Sequence, residues 1–196
     1  MADRETLEVY DRKAGDYAAR FDSDEVEPRF DAFVAKLPPG GRVLELGCGP
    51  GRTAAKFLAH GFEVDAVDAS PAMAEQARAL YGVEVRIATF AEVNAKGAYD
   101  GIWANFSLLH APRAELPGHL SRLHRASRPG GPFHIGMKTG TGEKRDRLGR
   151  FYAFYGVQEL TDLLEEAGFT VTHAEEGEGP GLAGDVEPWV ILAAHA

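Results

Sequence analysis

This chain predicts an α/β fold: one doubly wound, mostly parallel seven-stranded sheet with an antiparallel hairpin at one edge. Three observations predict it. Short apolar runs of strand type alternate with amphipathic helical stripes along most of the chain. Within that alternation, Val43-Leu44-Glu45-Leu46 runs into a turn holding Gly47, Gly49 and Gly51, then into a helical stretch with Ala54, Ala55, Phe57 and Leu58. Strand, glycine turn, helix is how an open parallel sheet brings bare backbone to a ligand. Finally, two strand-like segments, 169–174 and 186–194, close the sequence on either side of a Gly/Glu-rich turn.

Taken in order, Leu7, Tyr10, Ala14, Tyr17 and Phe21 recur at intervals of three and four residues and predict an amphipathic helix. A second helix follows Pro28, striped by Phe30, Phe33, Val34 and Leu37, and Pro38-Pro39-Gly40-Gly41 stops it. Strand one is 42–46 and the helix after it about 52–60. Strand two runs over 62–67 and ends at Asp68, after which Ser70-Pro71 reads as an N-cap with proline in the first turn of a helix reaching Leu80. Val83, Val85 and Ile87 alternate as a third strand, and Tyr99 to Ala104 forms a fourth. Leu116, Leu120 and Leu123 mark a helix that ends before Arg128-Pro129-Gly130-Gly131, and strand five spans Pro132 to Lys138. Leu160, Leu163, Leu164 and Ala167 stripe the last helix, with Gly168 placed to cap it. No linker divides the chain, so one domain is expected, with covering helices over 1–38, a core over 42–138, and a loop, helix and hairpin over 139–196.

At 196 residues, such a domain buries roughly 70% of its unfolded surface. A formal charge of −9 disfavours broad adhesion to nucleic acid or anionic membrane. The single cysteine permits no internal disulfide and suits a reducing cytoplasm. The first residues are too charged for a secretory signal, and no apolar run approaches the ~18 residues of a spanning helix.

The glycine turn separates two kinds of ligand site. A dinucleotide fingerprint needs its third glycine at position 52, where Arg52 stands, and the Gly-Lys-Ser/Thr ending of a phosphate loop is absent. The form Glu45-x-Gly47-x-Gly49-x-Gly51 after an apolar strand resembles instead the first motif of class I S-adenosylmethionine-dependent methyltransferases. The Pro129-Gly130-Gly131 turn before strand five is similar to that family's as well. This resemblance implies a Rossmann-like methyltransferase fold, S-adenosylmethionine as cofactor and an acceptor of the small-molecule type.

Ligands of such sheets lie beyond the carboxyl ends of the strands. The turn of Gly47, Cys48, Gly49 and Gly51 would admit the methionine end of the cofactor, and the Cys48 thiol reads as packing. Glu45 would orient that turn or accept from the cofactor's ammonium. Asp68, followed by Ala69, offers two oxygens to the ribose hydroxyls, and Met73 would cover the adenine. The family leads one to expect an acid after strand three, bonding the adenine amino group. Here Ala88-Thr89-Phe90 stands instead, leaving Thr89 to accept, Phe90 to pack on the ring and Glu92 as a fallback acid. Asn105, after strand four, falls where the family contacts the methionine moiety, and the segment lacks the Asn-Pro-Pro-Tyr form of nucleobase amino-methylating enzymes. Tyr17 lies on a helix similar to the one that lids the cofactor in small-molecule methyltransferases.

His110 is the catalytic candidate, as a base or as a residue that orients the acceptor. His119 and His124 do not share a helical face, so no metal pair is expected. After strand five, Lys138, Lys144, Arg145, Arg147 and Arg150 outnumber Glu143 and Asp146, and Tyr152, Phe154 and Tyr155 follow. This segment, with Gly136, Gly140 and Gly142, is expected to act as a mobile lid, with Lys138, Arg150 and Tyr152 meeting an anionic group on the acceptor. Two other readings stay open: a tRNA or protein methyltransferase, which needs an open basic cleft, and a nicotinamide-dependent oxidoreductase.

Overall fold

The computed structural model describes residues 3–20 and 27–196; Phe21 of the first helical stripe lies outside them. In chain order the elements are α1 (Arg4–Arg20), α2 (Glu27–Val34), β1 (Arg42–Leu46), α3 (Arg52–Ala59), β2 (Glu63–Asp68), α4 (Pro71–Tyr81), β3 (Val85–Ile87) and β4 (Gly101–Asn105). They continue with α5 (Leu116–Ala126), β5 (Pro132–Lys138), β6 (Glu143–Arg145), β7 (Phe151–Ala153), α6 (Val157–Glu166), β8 (Thr170–Pro180) and β9 (Val186–His195).

Seven strands form one sheet in the order β3-β2-β1-β4-β5-β9-β8. β1 pairs in parallel with β2 on one side and β4 on the other, so Leu44 lies opposite both Asp65 and Ile102. β5 continues the parallel set, and the β8–β9 hairpin closes the edge antiparallel, as the sequence predicts. Because side chains alternate across a strand, neighbours in β1 serve different layers. Leu44 and Leu46 pack with Ile102, Phe133 and Ile135 under the leucines of α5 and α6. Val43 faces the opposite layer, with Phe30, Phe33, Phe57 and Trp103. Each of these apolar side chains is almost fully buried, contributing about 1.5–3 kcal/mol by leaving water.

The order of strands reverses between β1 and β4, which run parallel, and this opens a crevice at their carboxyl ends. Local chemistry fixes its floor. Ser70 caps α4 by accepting from the Met73 N–H at 3.1 Å. Gly51 starts α3, and a Cβ there would sit 2.7 Å from the Ala77 Cβ, so the close packing of α3 on α4 requires glycine.

The structure departs from expectation in three places. The third strand is shorter than the alternation suggested, because Gly82 ends α4 with φ 67 and Val83 then packs among Ala54, Ala66 and Ala77. β8 reaches Pro180, since the first part of the Gly/Glu-rich stretch expected to be a turn pairs with β9, Gly177 opposite Trp189, and only 181–185 make the turn. The segment expected to be a loose lid contains the antiparallel β6–β7 hairpin instead.

Candidate active site

The crevice opens into a cleft of about 710 Å³ of atom-free space, part of it continuous with solvent. Gly47, Gly49, Asp68, Ala69 and Met73 line one end. Thr89 and Phe90 from the end of β3, and Asn105 from the end of β4, extend the wall. α1 roofs it with Tyr10 and Tyr17, whose rings meet edge to face with centroids 5.8 Å apart.

Asp68 is held by the turn it faces. Its Oδ2 accepts the Gly49 N–H at 2.8 Å and its Oδ1 the Ser70 N–H at 2.9 Å. Burial raises its pKa, with these backbone donors opposing. Each carboxylate oxygen keeps further acceptor capacity. Gly49 has φ 53, and a Cβ on it would project into open space 3.8 Å from the Tyr17 ring. This cradle of bare backbone beside a carboxylate fits a methionine-and-ribose ligand of the S-adenosylmethionine type.

Three residues of the expected cofactor turn lie outside the cleft lining and support the wall from behind. Glu45 is buried, bonded to the Thr53 hydroxyl and the Ala54 N–H at the start of α3, and its Oε2 has no partner. Burial, with Asp68 adding to it, pushes Glu45 up to about 8, so it is largely protonated at neutral pH. Cys48 packs under the turn with Ala54 and Ala77, and burial raises its thiol pKa. Gly51 makes the helix contact described above.

After β3, the Thr89 N–H and hydroxyl both bond Glu92, at 2.8 and 2.7 Å. The fallback acid is therefore engaged in closing its own turn. At the end of β4, Asn105 Oδ1 accepts from His134 Nε2 at 3.0 Å, and His134 stacks on Trp103 with centroids 3.6 Å apart. Asn105 lines the cleft as well. Phe106 follows with φ 52, the one non-glycine residue with positive φ among those described.

His110 joins a buried chain of bonds. Its Nδ1 donates to the Phe151 carbonyl at 2.6 Å, and its Nε2 accepts from the Tyr10 hydroxyl at 2.7 Å. The Tyr10 oxygen accepts from Arg150 at 2.9 Å and from the Tyr152 hydroxyl. Burial lowers His110 to about 3, so the ring is neutral but has no free nitrogen.

The basic segment is neutralised by its own Asp146 and by acids from elsewhere in the chain, which corrects the expectation of free cations. Arg150 pairs with Asp146 at 2.7 Å, and both side chains are buried. Lys138 and Lys144 pair with Glu187, Arg147 with Asp185, and Arg145 with Asp3 and Glu5. Lys138, Arg150 and Tyr152 all lie outside the cleft lining. The Arg145 pairs, with the Phe151 N–H on the Thr6 hydroxyl at 2.8 Å, bind the hairpin to α1. Sequence reasoning assigned Tyr10 to packing and passed over Asp3 and Thr6. Tyr10's place on the same helical stripe as Tyr17 was the signal available.

Comparison with known proteins agrees with this geometry. The family described as "Methyltransferase domain" matches residues 43–131. An uncharacterised methyltransferase of Synechocystis sp. is 30% identical over 162 residues, covering 74% of each chain. Trans-aconitate 2-methyltransferase of Methylobacterium nodulans is 34% identical over 137 residues, covering 67% of this chain and 52% of the relative. The chain spans about half the length of several curated relatives that it matches. Among solved structures, the Burkholderia thailandensis 1,6-didemethyltoxoflavin-N1-methyltransferase, with 1,6-didemethyltoxoflavin and S-adenosylhomocysteine bound, superposes with a TM-score of 0.77. It is 25% identical, and the match covers 97% of this chain and 87% of that one.

Proposed function

The chain belongs to the class I S-adenosylmethionine-dependent methyltransferases, and on that premise we propose that it transfers the cofactor's methyl group to a small-molecule acceptor bound beneath α1. The observation that carries this reading is the Gly49 cradle beside Asp68 at the carboxyl ends of β1 and β2. When bound, the cofactor supplies an electrophilic methyl on a sulfonium.

The protein's own groups do the positioning. The turn of Gly47 and Gly49 receives the methionine end, Asp68 accepts from the ribose hydroxyls, and Met73 and Phe90 flank the base. Asn105 offers amide N–H donors near the methionine end, its oxygen being taken by His134. α1 and the β6–β7 hairpin exclude water from above. Holding an acceptor in line with a good leaving group can supply ~7 kcal/mol or more of the barrier. His110 serves by orienting Tyr10 and the hairpin.

An acceptor bearing a carboxylate is a second reading, favoured by the name of the Methylobacterium relative. No described helix is long and apolar enough to cross a membrane, and the free, buried Cys48 thiol suits a reducing compartment such as the cytoplasm.

Calorimetric titration tests the cofactor assignment directly. S-adenosylhomocysteine is expected to bind, and NAD and NADP are not. Preference for a nicotinamide cofactor would overturn the reading. Methyl transfer from labelled S-adenosylmethionine to tRNA or protein, but to no metabolite, would overturn the small-molecule assignment.

A further inference from the structure

Resting on the methyl-transfer reading, we infer that the acceptor is an uncharged, planar molecule that brings its own unprotonated nucleophile, such as a ring nitrogen of a heteroaromatic. The charged side chains around the Tyr10 end of the cleft are already paired, and the buried Ser107 hydroxyl, which lines the cleft, is left without a partner. Asp3 accepts from Arg145 at 2.8 and 2.9 Å, and from the Thr6 N–H and hydroxyl at 2.9 and 2.7 Å. Arg150 and Lys138 are paired with Asp146 and Glu187. Away from the cofactor's sulfonium, a charged group on the acceptor would meet no free side-chain counter-ion among these residues, and burying an unpaired charge is strongly unfavourable.

The bond chain behind this wall runs in one direction. A guanidinium only donates and a carbonyl only accepts. The order is therefore Arg150 to Tyr10, Tyr10 to His110, and His110 to the Phe151 carbonyl. Tyr152 takes the remaining lone pair of the Tyr10 oxygen. Neither nitrogen of His110 keeps a lone pair with which to remove a proton from an acceptor. The nucleophile must carry an available pair when it binds.

What the cleft presents at this end are faces: the Tyr10 and Tyr17 rings from α1, Leu7 beside them, and Phe106 after β4. Phe106 holds its left-handed backbone through the bond from its N–H to the Gly136 carbonyl at 3.0 Å. Such backbone persists where the surrounding structure enforces it and the position serves a site. In the transfer, the acceptor nitrogen's lone pair forms the new N–C bond while the methyl C–S bond breaks, its electron pair remaining on sulfur. The positive charge passes from sulfur to the acceptor, which loses a ring N–H proton to water after release.

The test uses the full chain saturated with S-adenosylhomocysteine and reads acceptor binding by calorimetry, independently of turnover. The probes are lumazine and hypoxanthine, neutral at pH 7, against trans-aconitate and phenyl phosphate. The neutral rings are expected to bind about tenfold tighter or more than either anion. Phe106→Leu should weaken them about tenfold by removing an aromatic face, with S-adenosylhomocysteine affinity unchanged. If Phe106→Leu fails to fold, Leu7→Ala on α1 reads the same face. Tighter binding of an anion, binding of neither class, or neutral binding insensitive to the folded face variant would overturn the inference. Failure of S-adenosylhomocysteine itself to bind would instead strike the methyl-transfer reading on which it rests.

Discussion

At the Gly49–Asp68 end of the cleft, the wall is made of strand ends and the turns that follow them; at the Tyr10 end it is assembled from α1, the segment after β4 and the β6–β7 hairpin behind them. The first end keeps acceptor capacity on Asp68 and a bare cradle at Gly49. In the second, hydrogen bonds and ion pairs tie polar groups together from distant parts of the chain. The first end offers acceptor capacity to a polar ligand, and the second presents mostly rings. The same sheet thus carries a recognition surface and a packing surface side by side.

Breaking the second end should have the largest effect. Asp146→Ala leaves the Arg150 guanidinium buried without its carboxylate. A loss of ~3–5 kcal/mol is expected, read as a fall of about 10 °C in Tm. The double variant Asp146→Leu with Arg150→Met should recover much of that loss; no recovery would mean that the pair is not what holds the hairpin.

At the open end, Gly49→Val fills the cradle and strains a residue at φ 53. Binding of S-adenosylhomocysteine should weaken by ~3 kcal/mol or more, against a stability loss of about 1–2 kcal/mol. Equal losses would place the turn among packing elements. Asp68→Ala should lower the same affinity by ~1–3 kcal/mol, because ribose hydroxyls lose a charged acceptor. Unchanged affinity would remove Asp68 from the site.

The pH dependence of stability distinguishes the ends by sign. Glu45, raised to about 8, keeps its proton in the folded state while the unfolded chain has already lost it. Its contribution therefore falls as pH rises from about 4.5 to 8. His110 and His134, both lowered to about 3, stay neutral while their unfolded counterparts take protons below about 6.5. Their contribution falls as pH drops through that window. Glu45→Gln should raise stability at pH 8 relative to pH 5 by on the order of 1–2 kcal/mol, measured by urea unfolding. A pH profile identical to that of the unaltered chain would mean that Glu45 is ionised in the fold.

The smallest effect belongs to His110→Ala. As an orienting residue it should lower kcat by about tenfold, short of the 10²–10⁴ of a general base. S-adenosylhomocysteine affinity should stay intact, since the ring belongs to the other end. A kcat loss beyond a thousandfold, with normal folding, would restore it as a base.

Much of this molecule is written locally. Val43 to Gly51 encode strand and turn because apolar period and glycine placement are properties of adjacent residues. The same holds for Ser70-Pro71 and α4, and for Pro132 to Lys138 in β5. Asp68 was legible as a residue of the cleft because the ends of parallel strands face the ligand crevice. The sequence by itself therefore determined the sheet, its switch point and the open end of the cleft. Only the tertiary structure decided the fate of the charges. Arg145 meets Asp3, Lys138 meets Glu187, and the Tyr10 hydroxyl meets His110 across long stretches of chain. A local count of basic residues cannot register acids brought in by folding. It likewise reads as a mobile basic lid what the fold closes as a paired hairpin. Charge neutralisation depends on distance in space, whereas strand and turn propensity depend on distance along the chain, and this protein keeps the two at opposite ends of one cleft.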